Sequence, residues 1–293
     1  VREHFSSPLL QLADADAGAT FTLVECPSGT GQLISRLTND EIDVAIALTD
    51  PLIAGIANGS EAYRLVGSYV STPLNWAVIT GKTSPYASIA DLAPAEGKPA
   101  VPLGISRHGS GSQTMAYVMA LQQGWATERL QFQVNNDIRG LIDAVNGGRA
   151  SAFMWEWFTT KPYADAGEVR FIGSVPTPWP SWLIAAHPDP TRAPPAALRA
   201  FLAALSAAVA AFDAPAARAE RDVAFVRDRF GYPEEDVRAW LDTVGYPQDC
   251  ATIPIEVIAT TLSVLEKAGV VQAPASGAFD PRDFVDPSVV ALV

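Results

Sequence analysis

The sequence predicts an α/β protein of two lobes followed by a helical C-terminal third. Three observations carry this. Helix, short turn and apolar strand succeed one another around Leu33–Thr49 and again around Leu141–Trp157. Two long strand-rich stretches, Val66–Thr80 and Phe171–Ala185, flank the second succession and contain prolines. From Leu198 onward strand signals stop and apolar stripes of helical period begin.

In order, Thr20–Cys26 is a β-rich run broken by Pro27-Ser28-Gly29-Thr30-Gly31. Gln32–Leu37 reads as a short helix, and Ile42–Leu48 as a second β-rich run ending at Thr49-Asp50. Strand, Gly-rich turn, helix and strand make the βαβ unit of a parallel sheet. Later, Leu130–Val134 reads as a strand and Asn135-Asn136-Asp137 as a turn with capping residues. Ile138, Leu141, Ile142 and Val145 share one helix face, which Gly147-Gly148 ends. Ala150–Trp157 returns as a strand. Pro73 and Pro178 punctuate the two long stretches, as expected of strands at edges or bends. They read as two inter-lobe crossings. Residues 1–81 and 177–293 then form a first lobe with the C-terminal helices, and residues 82–176 a second, inserted lobe. In the last third Leu198, Phe201, Leu202, Leu205, Val209 and Phe212 make one stripe. Asp222–Phe230, Pro233–Val244 and Pro254–Ala268 follow as helices.

Composition excludes several classes. The 293 residues are 48% hydrophobic and 18% charged, with mean hydropathy +0.14, enough apolar material for a large core. The net charge of −12 repels phosphate backbones, so no nucleic-acid partner is expected. No apolar run reads as long enough to span a bilayer, so no membrane insertion is expected. Val1-Arg2-Glu3-His4-Phe5 does not read as a signal peptide. This slightly favours the cytoplasm. A mature, cleaved chain would look the same and would be periplasmic.

Three histidines, two cysteines and no C-x-x-C or H-E-x-x-H give no metal site and no cofactor. Cys26 and Cys250 read as two buried thiols rather than a disulfide, and Asn58-Gly59-Ser60 as a turn. No G-x-S-x-G elbow accompanies His108-Gly109, which excludes an esterase-type serine hydrolase.

The strongest local signal is Ser106-Arg107-His108-Gly109-Ser110-Gly111-Ser112, between a short strand and the helix Gln113–Gln123. Such a loop offers free N–H groups at a positive helix end, and Arg107 adds a full charge, so it suits an anion. A capped helix start with a flexible turn is the plainer alternative. Gly29, Thr30 and Gly31 repeat the device in the first lobe, with Thr30 as a hydroxyl donor. Strand-end loops of α/β lobes meet at ligands, so Thr49 joins the candidates, and Ser71, Thr72 and Thr177 join them from the crossings, where they adjoin the prolines and would take up a hinge change. Trp76, Trp155 and Trp179 are aromatic candidates for stacking on a planar ligand, against ordinary core packing. Glu156, among these aromatics, needs a partner: a ligand amine or an internal Arg.

The pattern resembles the type II periplasmic-binding-protein fold. It is closest to stand-alone fungal and bacterial proteins labelled as thiamine-biosynthesis or sulfonate/nitrate/taurine-binding-like. The resemblance rests on Glu3–Leu9, Gly29–Gly31, Ile42–Ala45, Ser71–Trp76, Ser106–Ser112, Phe153–Glu156 and Thr177–Trp182. It implies a monomeric solute-binding protein that captures a small anionic or zwitterionic molecule in an inter-lobe cleft by hinge closure. It also implies an ABC permease as partner if the chain is exported. The alternative is an enzyme on the same fold, menaquinone-pathway-like or related to thiamine pyrimidine synthesis. The cysteine-rich segment of the eukaryotic pyrimidine synthase is missing here, which argues against that activity.

Overall fold

The computed structural model describes residues 3–27, 29–94, 102–275 and 277–293. Val1, Arg2 and Ser28, used in the sequence reading, lie outside the described residues.

In chain order the elements begin with α1 (Ser7–Asp16), α2 (Thr30–Thr38), β1 (Val44–Leu48), α3 (Thr49–Ala57) and the long β2 (Arg64–Gly81). Next come β3 (Leu103–Ile105), α4 (Gly111–Gln123), β4 (Phe132–Val134), α5 (Ile138–Asn146), β5 (Phe153–Glu156) and α6 (Trp157–Asp165). The long β6 (Val169–Ala186) leads to α7 (Pro195–Asp213), α8 (Asp222–Phe230), α9 (Glu234–Leu241), β7 (Thr252–Ile253), α10 (Ile255–Lys267) and β8 (Ala291–Leu292).

The chain divides into two compact units. Unit 1 comprises Val1–Thr72, Trp179–Leu262 and Gln272–Val293, and unit 2 comprises Pro73–Pro178 and Ser263–Val271. The chain passes between them within β2 and β6, next to Pro73 and Pro178. Ser263–Val271, part of the C-terminal helices in the sequence reading, clusters with unit 2.

In unit 1, β1 pairs antiparallel with β6, Val44 opposite Ala186 and Leu48 opposite Trp182. This corrects the parallel βαβ unit expected for residues 20–48. Thr20–Cys26 joins no strand. Its residues favour β structure, but that preference expresses only a fit to a pleated surface, and a strand also needs a neighbour to bond. Residues 4–16, given no helix in the sequence reading, form a short 3₁₀ turn and α1. The predicted stripe of α7 is buried at Leu198, Leu202, Leu205, Val209 and Phe212. Burying each such side chain stabilises by about 1.5–3 kcal/mol as an upper bound. By length and composition α7 is also apolar enough to cross a membrane, which corrects the expectation that no run was. Inside unit 1 its stripe packs toward α1.

Two further features hold unit 1 together. Ser68 N–H donates to the Cys250 carbonyl at 3.0 Å, and a Cβ on the neighbouring Gly67 would stand 2.1 Å from that oxygen. Only glycine fits there. His4 is fully buried, with ring centroids 4.5 Å from Phe5 and 4.6 Å from Trp240. Loss of hydration pushes its pKa down to about 3, so it is neutral. Cys26 and Cys250 are free and buried, and Asn58-Gly59 turns the chain after α3 with Gly59 at φ +92°.

In unit 2, β3 runs parallel to β4 and β5, while β5 is antiparallel to Trp76–Ile79 of β2. Its core gathers Ala77, Ile79, Leu141, Ile142, Val145 and Phe153. Asp137 caps α5 by accepting the Gly140 N–H at 2.8 Å, as the turn signal predicted. The strand expected over Ala150–Trp157 is confined to Phe153–Glu156, because Glu156 caps a helix and Trp157 begins it.

Candidate functional site

The loop between β3 and α4 is a polar strand-to-helix connection in unit 2. β3 ends at Ile105, and Gly109 takes φ +73°, a left-handed conformation that suits glycine. Ser110 is the N-cap of α4 in extended backbone. Its hydroxyl lies 2.9 Å from that of Ser112, and Ser112 Oγ accepts the Ser106 N–H at 3.2 Å. Ser106, Ser110 and Ser112 are all buried. The loop therefore uses much of its own donor capacity. Gly109 N–H donates to Gln113 Oε1 at 2.8 Å, and Ser110 N–H to the Arg107 carbonyl at 3.3 Å. The N–H groups of Gly111 and Ser112, in the first turn of α4, have no partner among the described residues. Arg107 is half-buried and His108 exposed. Of the four amides from Gly109 to Ser112, two are thus left without a partner among the described residues, at the positive end of a 13-residue helix.

At the end of β5, Glu156 is buried and its carboxylate accepts the Thr159 N–H at 2.6 Å, capping α6. One partner of this charge is therefore a helix N-terminus, which neither sequence alternative named. Trp155 is half-buried beside it, and Trp76, opposite Glu156 in the β2–β5 register, is buried. The Trp76 indole N–H has no partner among the described residues. Thr177 Oγ1 accepts the Leu74 N–H at 3.0 Å, joining β6 to β2 within unit 2.

Unit 1 holds a second set. Gly29, at φ +80°, is the N-cap of α2, and Gly31 follows in its first turn. Thr30 is buried and its Oγ1 accepts the Leu48 N–H at 3.2 Å, so it is an acceptor here with its own proton left to donate. Thr49 donates to the Pro180 carbonyl at 2.6 Å. The chain Thr30, Leu48, Thr49, Pro180 thus fixes where α2, β1 and β6 meet. Ser71 and Thr72 are tied to a C-terminal turn. Ser71 N–H donates to the Gly245 carbonyl at 2.9 Å, and Gly245 N–H donates to Thr72 Oγ1 at 3.1 Å. Trp179 is buried.

The sequence reading missed Asp50 and Gln113 as site candidates. Asp50 is 2% exposed in the first turn of α3, a buried carboxylate at a positive helix end. An acidic residue two positions past the end of an apolar strand was the available signal. Gln113 shapes the Ser106–Ser112 loop through Gly109, and nothing local marks it. Among the described residues no cluster of three or more His, Cys, Asp or Glu is placed to hold a metal.

Mixed α/β units joined by two long strands, with strand-to-helix loops carrying the polar groups, define the chain as a type II periplasmic-binding-protein-like protein. It resembles over its full length (100% of this chain, 96% of the other) the Candida albicans CA3427 gene product, at 30% identity and TM-score 0.87. That protein defines a family with the generic periplasmic-binding-protein fold. The profile of the Ca3427-like PBP family matches residues 76–175. The chain belongs to this Ca3427-like family. More distant structures share the fold. The alkanesulfonate-binding protein SsuA of Xanthomonas axonopodis pv. citri, bound to MOPS, is 16% identical with TM-score 0.73, over 99% of this chain and 93% of the other. The ligand-binding component of an ABC-type import system from Staphylococcus aureus is 13% identical with TM-score 0.70, over 98% and 94%. No curated protein sequence matches the chain.

Proposed function

We propose that the protein is a solute-binding protein whose ligand carries an anionic group, held by the loop Ser106–Ser112. The observation that carries this is the pair of first-turn amides, Gly111 and Ser112, left without partners among the described residues beside buried serine hydroxyls. Amides at a positive helix end recognise sulfonate, phosphate or carboxylate, and Arg107 on the same loop adds a full charge. The sulfonate-binding protein with the same fold supports an organosulfonate as the first ligand class to try. The proposal includes closure on the bound ligand. An ABC permease is the partner the import-system relative suggests.

Calorimetry with taurine, MOPS, a longer alkanesulfonate and a phosphate monoester tests the reading, alongside native mass spectrometry of the protein as purified. Saturable one-to-one binding of an anion, recovered chemically unchanged, is the expected result. A fall in radius of gyration at saturation checks the closure. Binding only of neutral or cationic molecules would sink the anion assignment, and turnover would move the protein to the enzyme class.

A further inference from the structure

The Ser106–Ser112 loop has a polar neighbour in its own unit. β3 and β5 run parallel and side by side, Gly104 opposite Phe153, so the loop after β3 and the end of β5 stand at one edge of the unit 2 sheet. β4 and β5 flank β3 on opposite sides. The crossovers through α4 and α5 therefore run in opposite directions, and right-handed connections place these two helices on opposite faces. Phe153 and Trp155 pack with Leu141 and Ile142 of α5. By alternation Glu156 belongs to the face of α4, and so does Trp76, its opposite residue in the β2–β5 ladder. Both thus share the face and the edge at which α4 begins.

The two side chains have opposite hydrogen-bonding needs. Trp76 is 6% exposed and its indole nitrogen can only donate, yet among the described residues nothing accepts from it. A buried donor left without an acceptor is destabilising, and a ligand that supplies one gains what the fold has lost. Glu156 is 4% exposed, and its ionised carboxylate can only accept. The Thr159 N–H fills one of roughly four lone-pair positions on it. A hydroxyl is the group that suits both: its oxygen accepts from the indole and its proton goes to the carboxylate. A methyl leaves the indole without an acceptor, an ammonium has no lone pair for it, and a second anion meets the charge of Glu156.

We propose that Trp76 and Glu156 select a hydroxyl carried beside the ligand's anionic group, so that the solute is a hydroxylated organic anion such as a 2-hydroxyalkyl sulfonate or phosphonate. This rests on the reading that the Ser106–Ser112 loop holds the anion, and adds a second point of recognition to it. Neighbouring strands lie about 4.8 Å apart, which sets the separation of hydroxyl and charge at one or two carbons. Trp76 then determines specificity through its N–H rather than by stacking.

Calorimetry on the whole 293-residue chain compares 2-hydroxyethanesulfonate with propane-1-sulfonate, in which a methyl replaces the hydroxyl, and 2-hydroxyethylphosphonate with propylphosphonate. The hydroxylated member of at least one pair should bind at least about tenfold more tightly. Taurine, the ammonium analogue, should bind more weakly than 2-hydroxyethanesulfonate. Trp76→Phe keeps a ring and removes the N–H, so it should cut the hydroxyl preference to less than about threefold. A merely structural Trp76 would weaken both members of a pair alike and keep the preference, which overturns its role. The wild-type pairs and taurine keep the test decisive if that variant does not fold. Equal affinities within each pair overturn the proposal and leave the anion reading standing, whereas binding of neither pair overturns both. Taurine bound more tightly than 2-hydroxyethanesulfonate assigns the carboxylate to an ammonium and overturns the hydroxyl.

Discussion

The two units each start a helix from a Gly-containing turn, at α2 and at α4, but hide their polar groups differently. At the start of α2 the cap is a glycine with no side chain to bond the helix, and Thr30 Oγ1 accepts the Leu48 N–H. At the start of α4 three buried serines bond the loop and one another, and Arg107 stands on the same loop. Elsewhere the contrast reverses. Unit 1 buries a titratable ring, His4, where the Ser106–Ser112 loop of unit 2 buries hydroxyls that do not titrate near neutrality. A Gly-rich turn in a sequence is therefore no measure of how many donors remain for a ligand. The count depends on which side chains the loop has already bonded.

The largest expected effect separates the units by acid. His4 has its folded pKa depressed from 6.5 to about 3, so its contribution is complete above pH 6.5 and is lost progressively as pH falls toward 3. In that window the unfolded chain binds a proton that the folded chain rejects, which costs a few kcal/mol at the acid end. Urea midpoints should fall between about pH 6.5 and pH 5, and His4→Phe should flatten the slope. Hydrogen exchange should quicken first in unit 1. Earlier loss of protection in unit 2 would remove the histidine as the acid trigger.

Next is the charge on the α4 loop. Arg107→Ala should weaken an anionic ligand by about 10–100-fold, since one charge-assisted hydrogen bond is worth about 1.5–3 kcal/mol. Calorimetry showing equal affinity would leave the two loops electrostatically alike and defeat the contrast.

Thr30→Val tests the other loop. It removes the acceptor of a buried N–H, so stability should drop by about 1–3 kcal/mol while anion affinity changes by less than about threefold. A large affinity loss with intact stability would show that Thr30 faces the ligand.

The smallest effect is Ser110→Ala. It removes an N-cap whose hydroxyl bonds Ser112 rather than the helix amides, so the loss should stay near 1 kcal/mol by denaturant midpoint.

Much of the architecture was legible because it is periodic. Ile138 to Val145 and the α7 stripe repeat at helical spacing, and Val66–Thr80 and Phe171–Ala185 are too long and β-rich to be anything but strands. Thr20–Cys26 was misread because a sequence states what a strand would like to be, not whether a neighbour stands beside it. α6 was missed because Glu156 was read as a buried charge seeking an opposite charge, when the N–H of Thr159 answers it. At the candidate site the residue types of Ser106–Ser112 were readable. Their mutual hydrogen bonds were not, since these depend on Gly109 turning left-handed and on Gln113 reaching back one turn.

The two cysteines have a use unrelated to chemistry at any site. Both are free, both are buried, both belong to unit 1, and unit 2 has none. Burial raises the Cys250 thiol to about 11, so in the folded chain it is barely nucleophilic at neutral pH. A thiol reagent can therefore react quickly at this position only when unit 1 opens. The alkylation rate is a built-in clock for excursions of one half of the molecule. It can be read by mass spectrometry without adding a label, and it is silent about the other half.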